Sequence, residues 1–347
     1  MTKNILLLTK NYPPQIGGME KYSFDLYNRL VAEGNTVKLI AAWPRSENLL
    51  ARKQISRVSK IIYLFSELYR LIFFAFRCVL EWWFWIIKRK FQGYYVLVWS
   101  LDGSIAWLWY LMYCFFGSST RVTLHGTDVV WPKKIYQMVM PFFWRHTNEI
   151  IAISSKTKIE ATRRGVSNTC VEVIPHTIDS ITYIDAGNFD QKEFLAKYWI
   201  VQQNNKVILF SIGRWIERKW FHWFLEEIMP ALNPEKFHYI LAWFGPYEQL
   251  YKQIITEKHL TNVSIVGKVD DLAKAMFYSS SDLFIMPNID VKWDMEGFGL
   301  VLLEAQHYGL FSLISDSLTS KEYFISWISA PLSLEAIRTF KKSLWRK

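Results

Sequence analysis

The sequence predicts an α/β protein made of two doubly wound, Rossmann-like domains that face each other across a cleft. Three observations lead there. Short apolar runs alternate with helical patterns of about ten to fifteen residues, which is how a parallel sheet covered by helices on both faces reads. The alternation pauses in a polar stretch at 180–205 and then restarts. The 347 residues, 51% hydrophobic and 21% charged, exceed the usual size of one domain and can bury a sizeable core. The expected divisions are 1–180, 181–330 and a short terminal helix at 331–347.

In chain order, "NILLLT" reads as the first strand, the loop "KNYPPQIGG" follows, and "MEKYSFDLYNRLVAEG" reads as an amphipathic helix stopping at Gly34. "TVKLIAA", "YYVLVWS", "RVTLHGTD", "EIIAIS" and "VEVIPHTID" supply further strands. Between them lie an aromatic helix at about 61–90, a buried helix at 104–117 and "SKTKIEATRRG", capped by serine and ended by glycine. After the polar stretch come the strand "KVILFSI", the helix "WFHWFLEEIMPAL", the strand "YILAWFG" and the helix "YEQLYKQIITEKHL". "VSIVGKV", "LAKAMFYSSS", "DLFIMPN" and a helix starting near Phe298 complete the pattern. Such sheets bind ligands at strand C-termini, so functional residues should lie on the loops after strands.

The formal charge of +10 is concentrated in one place. Residues 51–90 hold nine Lys or Arg against two acids, within the most apolar part of the chain. At 100° per residue Glu67, Arg70, Arg77, Glu81 and Lys88 form one stripe, with aromatic and aliphatic residues around the rest. Charges at the bilayer centre cost about 2.5 to 3.5 kcal/mol each, so this is not a membrane span. Basic ends around "WWFW" suit a helix resting in an anionic membrane interface; burial between core and partner is the alternative. Since the basic residues flank apolar ones and no recognised module appears, nucleic acid is not the expected partner. Cys78, Cys114 and Cys170 are far apart, share no metal-ligand spacing and suit a reducing cytosol. "NILLL" is too short for a signal-peptide core.

Several strand-end loops carry the chemistry of anion and hydroxyl binding. Gly17 and Gly18 sit between the first strand and first helix, where backbone N–H groups can approach an anion. In "GRWIERK", Arg214 and Lys219 leave a strand end just before a helix, a placement suited to a diphosphate. "DMEGFGLVLLEAQHYG" brackets four aliphatic residues with Glu296 and Glu304. Leu300 to Leu303 should pack this helix on the sheet, while both carboxylates and the N–H groups of Phe298, Gly299 and Leu300, which lack intrahelical partners, face the cleft. His125, taken without its context, reads as a core histidine.

"EGFGLVLLEA" resembles the E-x7-E motif of retaining GT-B glycosyltransferases. The order of "PPQIGGMEKY", "VTLHGTD", "AISSKTKIEATRRG", "VEVIPHTID", "ILFSIGRWIERK", "FGPYEQ", "IVGKV" and "SSSDLFIMPN" is similar to glycosyltransferase family 4. The resemblance implies a nucleotide diphosphate sugar as donor, no cofactor and no metal. It implies that Gly17 and Gly18 approach the donor phosphates and sugar, and that Arg214 and Lys219 hold and stabilise the diphosphate. It places Glu296 on the donor sugar with the amides of Phe298, Gly299 and Leu300 close by, Glu304 on the ribose, and Lys268 and Val269 beside the base. His125 would sit by the reacting sugar, with Asp128 one step further out. With the basic helix, it points to a lipid-linked or polysaccharide acceptor and a peripheral position on the inner face of the cell membrane. Glycine is missing where the family expects it: Trp220 follows Lys219, Trp243 replaces a small residue, and "SDSLTSKEY" lacks the usual Gly-Gly-Ile-Pro. His176 stands where asparagine is usual. These departures imply the alternative of a degenerate, non-catalytic member that binds nucleotide or membrane as a partner protein.

Overall fold

The computed structural model describes residues 3–15, 17–42, 73–78, 80–81, 84–89, 92, 94–176, 185–187, 189–198, 200, 206–315 and 329–331. The chain divides into two compact units, Met1–His176 and Thr177–Lys347. Each is a parallel six-stranded sheet with helices packed on it.

The first unit contains β1 (Asn4–Thr9), α1 (Gly18–Ala32), β2 (Thr36–Ala41), β3 (Val96–Ser100), α2 (Ala106–Phe116), β4 (Ser119–Leu124), α3 (Thr127–Val130), α4 (Lys134–Arg145), β5 (Glu149–Ala152), α5 (Ser155–Arg163) and β6 (Val171–Val173). Its strand order is β2-β1-β3-β4-β5-β6. All six residues of β1 are buried, as a strand paired on both sides and covered on both faces requires. Leu6, Val98, Val122 and Ile150 join Phe74, Cys78, Leu108, Met140 and Trp144 in the core of one face. Ile5, Leu7, Leu97 and Trp99 meet Leu26 and Leu30 of α1 on the other. Ser154 caps α5 by accepting from the Thr157 N–H at 3.2 Å, and the chain leaves through left-handed Gly165.

The second unit contains α6 (Gln191–Ala196), β7 (Val207–Ile212), β8 (Phe237–Ala242), α7 (Glu248–Glu257), β9 (Val263–Gly267), α8 (Asp271–Ser280), β10 (Leu283–Met286), α9 (Leu300–His307), β11 (Phe311–Ile314) and β12 (Ser329–Pro331). The strand order is β12-β11-β10-β7-β8-β9. In both sheets the winding reverses beside the first strand of the unit, between β1 and β3 and between β7 and β10. Those two switch points open crevices at the strand C-termini.

Several elements differ from expectation. The predicted helix at 220–232 is helical but uneven: Phe221–Trp223 is α, Phe224–Ile228 widens to a π turn and Met229–Ala231 tightens to 3-10 around Pro230. Helix α4 carries Pro141 in its interior, which hid it from a periodicity reading. The polar stretch contains α6, capped by Asp190. Helix α2 is not wholly buried, since Trp107 and Tyr113 are exposed. Of the helix expected at about 61–90, residues 73–78, 80–81 and 84–89 are described and are helical. There Arg77 and Glu81, placed on one stripe by the sequence, form an ion pair at 2.7 Å. The remainder of that segment, residues 332–347 of the terminal helix and Glu322 lie outside the described residues.

Candidate active site

In the second unit, functional side chains gather at the β7/β10 switch point. The loop after β7 turns at Gly213 (φ 152°), where a Cβ would stand 3.3 Å from Lys219 Cε, so glycine leaves the path of that side chain open. A short 3-10 turn, Glu217–Lys219, then buries both Arg218 and Lys219. From the loop after β10, Glu296 meets them. Its Oε2 accepts from Lys219 Nζ at 2.6 Å, from Asn288 Nδ2 at 2.6 Å and from Arg218 Nη1. Arg218 Nε also donates to Asp294 at 3.0 Å. The Ile289 N–H bonds the Arg218 carbonyl at 2.9 Å and ties the two loops together.

Electrostatics follow from this packing. Burial pushes the Glu296 carboxyl up, but Arg218 and Lys219 outweigh it and hold it down at about 2. Arg218 is desolvated yet raised by Glu296 and Asp294. Lys219 is lowered, by burial first and also by the positive charges of Arg218 and Arg214, against the pull of Glu296. Arg214 itself is exposed on the same loop. Thus Lys219 and Glu296 come together, with Arg214 close enough for its charge to be felt.

Helix α9 begins at Leu300 with Gly299 as its N-cap, and no side chain caps it. Phe298 and Gly299 are buried. A Cβ on Gly299 would press Leu302 Cδ1 at 3.2 Å and Met286 Cε at 3.3 Å, so the entry into the helix is tightly packed. Of the four aliphatic residues expected to anchor this helix, Leu302 is fully buried, while Leu300, Val301 and Leu303 are half-buried. An eight-residue helix packed on one face of a sheet needs only its inward row buried. Glu304 is buried and engaged by α8: its oxygens lie 3.0 Å from Tyr278 Oη and 3.3 Å from Lys274 Nζ. Lys268, exposed, lies 5.9 Å over the Phe244 ring, and Val269 beside it is buried.

Position 220 has a specific backbone consequence. Trp220 adopts the left-handed conformation (φ 51°, ψ 26°), and its ring stacks on Trp223 at 4.7 Å and 11°. Trp243 also has positive φ, at 93°. The backbone therefore keeps the turn that glycine adopts freely, at a strain of about 1–2 kcal/mol for a residue with a Cβ.

In the first unit, Lys10 after β1 and Asp102 after β3 meet across the β1/β3 switch point at 3.2 Å. Lys10 also donates to Ser104, and Asn11 to Asp102 at 2.9 Å. His125, at the end of β4, is buried; its Nε2 donates to the Leu101 carbonyl at 2.9 Å, so Nδ1 carries no proton. That Nδ1 is buried with no hydrogen-bond partner among the described residues. Burial lowers the ring to about 4 despite Asp102, so it is neutral at pH 7. Asp128 is buried beneath it, accepting from the N–H groups of His125 at 2.8 Å and Gly103 at 2.9 Å. Burial and the nearby Asp102 charge push Asp128 up to about 7. It braces the His125 turn. Tyr22 packs against both His125 and His176, at 5.0 Å and 4.3 Å. Gly17 is the N-cap of α1 and Gly18 its first residue; both are exposed, and no side chain caps that helix.

Sequence reasoning missed Arg218, Asn288, Asp294, Lys274 and Tyr278, and in the first unit Lys10, Asn11, Asp102 and Ser104. Arg218 adjoins Lys219 in "ERK", and Asn288 closes the strand "DLFIMPN", so both were available at strand-end loops. Lys274 and Tyr278 lie mid-helix, where nothing local marks them.

Comparison with known proteins gives a family match in each unit. Residues 16–180 match the family described as Glycosyltransferase Family 4, and residues 206–326 match Glycosyl transferases group 1. A 41.2 kDa uncharacterized protein from the cps region of Klebsiella pneumoniae is 26% identical over 200 residues, covering 56% of this chain and 50% of that one. The putative glycosyltransferase EpsF of Bacillus subtilis is 28% identical over 154 residues, covering 44% and 37%. The chain thus spans half or less of the length of these relatives. Among solved structures, a glycosyltransferase from Rickettsia africae superposes with a TM-score of 0.69 at 17% identity, covering 100% of this chain and 89% of that one. Anabaena HepE in complex with UDP superposes at 0.65 and 15% identity, covering 98% and 90%. At these identities the likeness establishes the fold.

Proposed function

Because the chain is built of a Glycosyltransferase Family 4 domain and a glycosyl transferases group 1 domain on the GT-B fold, we propose that it is a retaining hexosyltransferase using a nucleotide diphosphate sugar. One observation carries this reading: Glu296 held between buried Arg218 and Lys219 at a sheet's switch point, four residues before the helix at Leu300 begins. HepE, a structural neighbour, is seen with UDP and glucose and with UDP-glucose, and supports a nucleotide sugar as donor. The cps-region relative and the lipopolysaccharide outer core galactosyltransferase WaaB among the neighbours favour a polysaccharide or lipid-linked acceptor. The site of action would be the cytoplasmic membrane face.

The chemistry follows from charge. Arg214 and Lys219, with the N–H groups of Phe298, Gly299 and Leu300, stabilise negative charge on the diphosphate as the C1–O bond of the sugar breaks. The acceptor hydroxyl adds to C1 on the same face, and its proton passes to the departing phosphate oxygen. Glu296 aligns the sugar through its hydroxyls and sets Lys219, while Glu304 bonds the ribose hydroxyls. Lys268 and Val269 border the base, and Gly17 and Gly18 approach the phosphates and sugar. Neutral His125 beside the reacting sugar adds no positive charge that would oppose an oxocarbenium-like centre.

Calorimetry with UDP-, GDP- and ADP-sugars tests the assignment, comparing the natural chain with Arg214→Ala and Glu304→Ala. Binding of one nucleotide sugar, weakened by both substitutions, is expected. If none binds, the crowding at Trp220 has closed the site and the non-catalytic partner becomes the better reading.

A further inference from the structure

Helix α4 has two apolar faces. Met140, Pro141 and Trp144 pack inward. On the opposite side Ile135 and Met138 are 75% and 73% exposed, and Val139 and Phe142 are exposed beside them. Spacings of three and four put these residues in one outward stripe, where a solvated helix carries charges. Helix α2 extends the surface. Its Tyr110 ring lies 5.5 Å from both Phe142 and Phe143, and it exposes Trp107 and Tyr113. Residues 104–118 contain no charged side chain. Phe76 and Phe84 are also exposed, from the segment whose Phe74, Cys78 and Ile86 share the core under α2 and α4.

Both ends of α4 are basic. Lys133 and Lys134, with Trp131, are exposed at one end of α4, and Arg145 and His146 at the other. Residues 129–148 contain no Asp or Glu. We propose that the outer face of α4 and α2 docks on an anionic lipid bilayer, with α4 lying in the interface plane. Amphipathic helices of this kind insert their apolar side into the headgroup boundary while Lys and Arg reach lipid phosphates. No helix among the described residues is long and apolar enough to cross a membrane, so the contact is one of surface. A second copy of the chain is a poor occupant, because the basic ends of α4 repel their counterparts across such a contact. The proposal rests on the membrane-side reading of function, but α4 and α2 carry it rather than the basic residues of the 51–90 segment.

The test is co-sedimentation of the full chain with phosphatidylcholine vesicles, with and without phosphatidylglycerol. Binding to the anionic vesicles is expected, reduced by salt. The triple variant Ile135→Ser, Met138→Ser, Phe142→Ser should weaken it at least about tenfold, since removing even one buried apolar side chain costs that much. Lys133→Glu with Lys134→Glu should weaken it and flatten its salt dependence. The altered residues are at the surface, so thermal melting should be unchanged and would identify a folding defect. Calorimetry with the nucleotide sugar on the same variants separates the two readings: donor binding should persist when vesicle binding is lost. Vesicle binding that survives the triple substitution overturns the proposal. So does a concentration-dependent dimer of the natural chain that the triple variant dissociates, which would assign the face to self-association.

Discussion

Replacing Glu296 by Gln tests the electrostatic core of the candidate site. The carboxylate has an ordinary pKa of 4.5 and is held at about 2 in the folded chain. A difference of about 2.5 units, at 1.36 kcal/mol each, amounts to about 3 kcal/mol of stabilisation by its partners. The Arg218 and Lys219 side chains are 4% and 10% exposed, so loss of the anion leaves two desolvated cations close together. Breaking a buried pair from one side costs about 3–5 kcal/mol, the same scale. Glu296→Gln should therefore lose about 3 kcal/mol at pH 7, a fall in Tm of roughly 6–12 °C for a unit of this size. The pH dependence has a defined sign. A depressed carboxylate pKa stabilises fully above 4.5, and that stabilisation is lost as pH falls toward about 2. The gap between natural and variant chains, measured by urea unfolding with tryptophan fluorescence, should be full at pH 7, smaller at pH 3 and closed near pH 2. A variant within about 0.5 kcal/mol of the natural chain at pH 7, or an equal gap at pH 7 and pH 3, would refute the reasoning.

Further outcomes follow from single residues. Gly245→Ala places a Cβ 2.5 Å from the Trp215 carbonyl oxygen and 2.6 Å from its nitrogen, backbone atoms that cannot rotate away. A loss of about 3 kcal/mol or more is expected in thermal or urea unfolding, and a loss under about 1 would contradict the packing. At Trp220 both Gly and Ala lose the stack on Trp223, but only Gly relieves the left-handed backbone. Trp220→Gly should exceed Trp220→Ala in stability by about 1 kcal/mol, and the opposite order would show that φ 51° carries no strain. His125, lowered from 6.5 by burial, should titrate near pH 4 in its ring NMR signals. The unfolded chain takes up that proton first, so stability should fall from pH 6.5 toward 4 and level off below. His125→Gln should remove that part of the slope.

Much of the fold was legible because apolar periodicity is local. Every strand from "NILLLT" to "DLFIMPN" appears, and the helix after "EGFG" begins within two residues of its expected start. Helix α4 escaped because Pro141 reads as a breaker, although tertiary packing of Met140 and Trp144 holds it helical. The candidate site was legible in half. Lys219 and Glu296 were singled out for the same ligand and do meet.

What the sequence by itself determined is the order of most strands and helices and the strand-end position of the candidate residues other than Glu304, because periods of two and 3.6 and turn residues act over a few positions. Tertiary structure alone decided the partners. Arg218 joins Lys219 around Glu296, from 78 and 77 residues away, because β7 and β10 lie side by side at a switch point. It set Lys274 and Tyr278 on Glu304, and placed Asp128 under His125. It also turned Ile135 and Met138 of α4 outward rather than into the core. Those outcomes depend on which elements the sheet brings together and on the desolvation that follows, and neither is written in a local pattern.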